Sequence, residues 1–242
     1  SVMGFLAVAD RLWLFTAGVV LAVHGVLGAL LAFSPIDASG ASAMVICTAL
    51  LLLPMAAVLS VRLAGMPLPD LPQTAQELMA DRPLPPRDQV TAAVIRADEI
   101  FAGLLLGAAL TSVAAGALLL REGVAAQLLA GIVAVLLVVR SRSLVRPRHR
   151  APLLVFGGLG AVVVTAALAL DQPADVRPFL VCAGILPVAL GIAAGGVRYA
   201  RRRATPQVGR LVDVLEFLLT VAVVPLAFVV LGLFSYVRGL AG

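Results

Sequence analysis

Lysine is absent from this chain of 242 residues, and charge of either sign is scarce: charged residues make up 13%, with 18 arginines against 13 acids. So little charge, beside 62% hydrophobic residues and a mean hydropathy of +1.09, excludes a soluble domain and the soluble enzymes with it. Cysteine is nearly missing too. Cys47 and Cys182 each sit in an apolar run and read as inert packed thiols, with a disulfide between them as the alternative. No Walker A, HExxH, complete GxSxG set or Cys/His ligand cluster occurs, so no catalytic constellation, cofactor or metal is expected. No acid or arginine falls at the middle of an apolar run, which leaves His24 as the one ionisable residue near mid-span. The N-terminus lacks a charged n-region and a cleavage site. Its apolar VMGFLAVA therefore reads as the tail of a preceding span in a longer protein, not as a signal peptide.

What the chain does have is apolar runs of membrane-spanning length. They cover Leu12 to Phe33, Ala41 to Ser60, Ile100 to Leu120, Val124 to Val139, Ala151 to Leu170, Phe179 to Val197 and Leu211 to Phe234. This predicts an all-α, polytopic helical membrane protein with about seven transmembrane helices. The fourth run is short, and Arg121, Glu122 and Gly123 leave room only for a tight hairpin, so the third and fourth spans should be antiparallel neighbours. Counted on alternate sides, fifteen arginines fall on one face and three on the other. The positive-inside bias then puts the rich face in the cytoplasm and the C-terminus outside the cell. The same bias accounts for the sequence pI of about 10.5 without nucleic acid as a partner.

One polar interval is too long to be a turn. Residues 62–98 separate the first transmembrane helices (1–61, with the tail of the preceding one) from five further spans (99–242). Six of the fifteen prolines lie inside this interval, so much of it is extended or turning. Thr74 and Glu77 form a capping box for a short helix from about Ala75 to Ala80. Asp88 is the expected N-cap of a second helix, one that runs into the apolar segment from Ile100 and makes a continuous rod of about 33 residues, roughly 50 Å long. The interval is thus a shaped element on the cytoplasmic face, continuous with the helix that follows. Its candidate partner contacts are Arg62, Pro67, Pro69, Pro72, Glu77, Arg82, Arg87 and Arg96.

Fewer polar groups mark the spans themselves. His24 has two readings, a proton relay or substrate contact and a neutral ring hydrogen-bonded to a neighbouring helix or subunit; the second is expected, because no intramembrane acid continues a relay. Asp213 and Glu216 open the last span one turn apart, where they complement the helix dipole or receive a basic segment of a partner. The runs Arg140 to Arg150 (RSRSLVRPRHR) and Arg198 to Arg203 (RYARRR) read as topogenic collars facing anionic membrane lipids. Gly103 and Gly107, like Gly191 and Gly195, permit close helix packing within the chain or between copies. Pro54, Pro187 and Pro225 each interrupt a span.

Three stretches taken together, RLAGMPLPDLP after a span, RSRSLV between two spans, and the C-terminal RLVDVLEFLLTVAVVPLAFVVLGLFSYVRGL, resemble in order and spacing the EccD membrane subunit of actinobacterial type VII (ESX) secretion systems. The resemblance covers essentially the whole chain, as the C-terminal transmembrane part of that family. It implies a non-catalytic scaffold in the bacterial inner (plasma) membrane, part of a helical ring or vestibule. It also implies, as partners, a second EccD-like copy and EccB-, EccC- and EccE-like subunits, with energy supplied by the EccC-like ATPase. The ubiquitin-like domain and early spans of that family have no counterpart in these residues. A small-molecule permease or ion-coupled transporter is the alternative; it calls for polar residues converging at mid-membrane and an internal repeat, and the sequence offers neither beyond His24 and a few hydroxyls.

Overall fold

Inside hydrocarbon no water satisfies a backbone N–H or C=O, so apolar runs of this length close their own hydrogen bonds as helices. The computed structural model describes residues 11–34, 36–66, 86–170, 178–179, 182 and 206–233. Among them are six helices of membrane-spanning length and apolarity: α1 (Leu12–Ala32), α2 (Ala38–Leu63), α3 (Arg87–Leu119), α4 (Val124–Arg140), α5 (Pro147–Leu170) and α6 (Pro206–Val230). A 3₁₀ turn, Ser141–Ser143, joins α4 to α5. Apart from Phe179 and Cys182, the expected span from Phe179 to Val197, with Pro187 in it, lies outside the described residues, as does the short helix after Thr74.

Helix ends follow local chemistry more closely than hydropathy. Both α5 and α6 begin on a proline, at the position where a missing N–H costs nothing. Their polar first turns are therefore helical before the apolar run starts, so the helices begin at Pro147 and Pro206 and not at Ala151 and Leu211. The start of α3 also corrects the expectation: its N-cap is Pro86, in extended conformation, and Asp88 lies in the first turn, where its charge favours the helix dipole. The helix is 33 residues long and unbroken. At the far end of α2, Gly65 turns the chain at a φ of +62°. The Met66 amide bonds Val61 O at 3.4 Å and the Gly65 amide bonds Arg62 O at 3.1 Å, which closes the helix with a Schellman motif.

The long helix is the centre of the bundle. Of its most apolar stretch 67% is buried, against 17% for α1 and 11% for α6. α3 packs against α1, α2, α4 and α5, while α6 lies against α4 and α2. Lipid tails are as apolar as leucine, so burial alone does not drive this association; close backbone approach does. Gly103 and Gly107 provide it where α3 crosses α1. A Cβ on Gly103 would stand 2.6 Å from Thr16 Cβ, and one on Gly107 would stand 2.6 Å from Val20 Cβ. Two apolar clusters fill the interior. One, with Ile46, Leu119 and Leu129, lies toward the arginine-poor end. The other, with Leu53, Leu105, Leu137 and Leu153, lies toward the arginine-rich end.

Candidate functional site: a charged clasp at one end of the bundle

Polar chemistry gathers where α4 hands over to α5. Arg140 ends α4, Arg142 sits in the 3₁₀ turn, Arg146 precedes Pro147, and Arg148 and His149 fall in the first turn of α5. A short rigid connection so rich in cations would repel itself unless acids met it. Four carboxylates do. Arg140 Nη1 donates to Glu216 Oε1 at 2.8 Å. Arg142 pairs with Asp213 and also donates to the Gly209 carbonyl at 3.3 Å. Arg146 pairs with Asp98, and Arg148 Nη2 donates to Glu99 Oε1 at 3.4 Å.

The clasp therefore ties α4 to α6 through one half and α5 to α3 through the other. Its members are not equal. Arg140 and Glu216 are 25% and 22% exposed and lose most of their water together, whereas Asp213 is 69% exposed and solvent screens its pair. Asp98 is the most connected acid: besides Arg146 it lies 4.0 Å from Arg148 and 3.3 Å from His149 Nε2. The His149 ring lies close to Asp98 without hydrogen-bond alignment. The ring of His149 is buried and stands edge-on to Phe101, centroids 4.8 Å apart. Arg148 completes the junction by placing its guanidinium 5.7 Å from the Trp13 ring, so the start of α1 joins α3 and α5.

The expected site residues distribute as follows. Asp213 and Glu216 meet basic groups of the chain's own α4–α5 connection; because α6 begins at Pro206, neither acid falls in its first turn, which corrects the helix-dipole reading. Arg62, Arg87 and Arg96 are exposed at the arginine-rich end. Pro67, Pro69, Pro72, Glu77, Arg82, Gly191 and Gly195 lie outside the described residues. Gly103 and Gly107 sit in the α1–α3 crossing. His24 is buried, and its Nδ1 bonds Val20 O of its own helix at 2.8 Å. The i−4 carbonyl is within reach of any helical side chain, and hydrocarbon offers nothing nearer. Both cysteines are free thiols, which removes the disulfide alternative.

Asp98, Glu99, Trp13 and His149 went unread as site residues. A signal was present: two adjacent acids at the point where a helix becomes apolar need cations from elsewhere, and the basic connection had no assigned acids. Among the described residues no three His, Cys, Asp or Glu side chains come together as a metal-holding group. The clasp can fix helix positions. It offers no nucleophile set beside a base.

A family model described as the EccD-like transmembrane domain matches residues 1–240. No curated protein matches. Among solved structures, the chain is similar in fold to one from a structure of protomer 1 of the ESX-3 core complex, with a TM-score of 0.72 and 23% identity over 92% of this chain. The match takes in 51% of that chain, so the present chain spans about half the length of the one it matches.

Proposed function

The chain belongs to the EccD-like transmembrane family, and from that premise we propose that it is a non-catalytic structural subunit of a type VII (ESX) secretion complex in the bacterial plasma membrane. The family match over residues 1–240 carries this reading. The charged clasp supports it from physics, because a scaffold must hold its helices at set positions while partners load them. Four ion pairs at one end of the bundle brace the connections of α3, α4, α5 and α6 together.

In this reading the arginine-rich end faces the cytoplasm. A helix of 33 residues is about 50 Å long against a hydrocarbon core of about 30 Å, so the first turns of α3 stand clear of the bilayer. Those turns expose Arg87, Asp88, Gln89, Thr91, Val94, Ile95 and Arg96 around the helix. Just inward of it, the clasp pins Asp98 and Glu99 to α5. Residues 62–98 are then a docking element for EccB-, EccC- or EccE-like subunits, and a second EccD-like copy packs on the bundle within the membrane.

Affinity purification of the full-length protein from native membranes in mild detergent tests the proposal. Recovery of a large assembly that contains an ATPase subunit is the expected result. Recovery of a lone monomer or dimer that moves solute across liposomes would overturn it in favour of a transporter.

A further inference from the structure

Away from the clasp, a groove of about 510 Å³ opens between α1, α2 and α3 in the arginine-poor half of the bundle. It exists because α1 leaves α3. The two touch closely at Gly103 and Gly107, but beyond that crossing a Cβ on Gly25 would meet nothing within 4 Å, and one on Gly28 only Val45 of α2 at 3.6 Å. The walls are made of small residues, Gly25, Gly28, Ala32, Ala41, Ala114 and Ala115 among them. Along α1 the positions Gly18, Leu21, Gly25, Gly28 and Ala32 recur at spacings of three and four, the seam of a left-handed helix pair.

Small walls alone would fit a lipid tail as well. Of the three polar side chains that line the groove, Ser42, Thr111 and His24, the last two decide against a tail. Of the six threonines among the described residues, Thr16, Thr48, Thr91, Thr165 and Thr220 each donate the hydroxyl to the carbonyl four residues back. Thr111 does not. Its residue is 5% exposed, its Oγ1 has no hydrogen-bond partner, and it lines the groove. His24 lines the groove beside it. Because Val20 O can only accept, His24 Nδ1 carries the proton and the neutral ring offers Nε2 as an acceptor. An acyl chain would leave a donor and an acceptor unmatched in hydrocarbon, a cost that a polar side chain removes.

We propose that the groove seats one transmembrane helix of a partner subunit, a helix carrying Ser, Thr, Asn or Gln at mid-span to hydrogen-bond Thr111 and His24. Small residues for close approach and one polar contact are how helices associate in membranes. The inference rests on the reading of the chain as a complex subunit.

The test places a benzophenone amino acid at Ala114, exposed on the groove wall, in the full-length protein in native membranes, and maps the photo-adduct by mass spectrometry. A spanning segment of another subunit, with such a side chain within one turn of the adduct, is expected. An adduct to lipid, to this chain itself or to a segment without that side chain would overturn the proposal. Gly25→Leu, at a position where a Cβ meets nothing within 4 Å, puts a side chain into the groove and should cut the adduct at least tenfold, while Gly158→Leu, equally open at its Cβ but on α5 away from the groove, should not. Thr111→Val should lower the yield about threefold and Thr111→Ser should keep it. Equal losses from the two leucines, or an undiminished yield from Thr111→Val, would also overturn it. Assembly of the tagged complex is scored separately, so a helix-free groove in an intact complex would sink this inference alone.

Discussion

Asp98 carries more of the clasp than any other side chain because two guanidinium groups converge on it, with the His149 ring beside them, in a setting that is only 22% exposed. Removing its charge would leave Arg146 and Arg148 facing each other. Asp98→Asn should therefore cost about 1–2 kcal/mol, read as a lower midpoint of thermal unfolding in detergent, and Asp213→Asn at a 69% exposed site should cost less than about 0.5 kcal/mol. A double-mutant cycle on Arg140 and Glu216 should give a coupling near 1 kcal/mol, well above the cycle on Arg142 and Asp213. Equal couplings would mean that burial does not rank these pairs. All of these residues are plain in the sequence, yet the acids at 213 and 216 suggested either a helix-dipole role or a partner's basic segment. The cations that meet them come from about seventy residues earlier in the chain, a distance over which no spacing rule operates.

Among the elements, α3 is the one that packs against four others, and Gly107 is, with Gly103, one of its two tightest positions. A side chain there meets Val20 Cβ at 2.6 Å and the Ala17 carbonyl at 3.1 Å, backbone that cannot swing aside. Gly107→Leu should push α1 off α3 and destabilise the bundle by about 1–3 kcal/mol, the usual cost of overpacking. Gly158→Leu, at a glycine whose Cβ would meet nothing within 4 Å, should be close to neutral by the same thermal assay. If the two behaved alike, α1 and α3 would not cross at Gly107. The length of α3 was legible beforehand, because proline before it and an unbroken helical pattern within it are local signals. Its cap was not: Asp88 suits an N-cap by residue type, but Pro86 had already set the extended entry one turn sooner.

At the scale of the whole molecule, the arginine-rich end holds the clasp, the exposed start of α3 and the end of α2. Orientation is testable there. In a background lacking Cys47 and Cys182, a cysteine at Asp37 or Glu122 should react with a membrane-impermeant maleimide in intact cells, while one at Arg87 or Ser143 should react only after permeabilisation. The reverse pattern would invert the assignment and remove the first turns of α3 as a cytoplasmic docking face. By itself the sequence determined the class of the molecule, the places of its helices, the length of the central one and the charge asymmetry between its ends, because hydropathy, proline and capping act within a few residues. Tertiary structure alone decided which carboxylate meets which arginine, that Gly103 and Gly107 serve α1, that His24 turns back on its own helix, and that Thr111 is left facing an unfilled groove. Each of those is set by where two helices cross, and a crossing brings together side chains that the chain itself keeps dozens of residues apart.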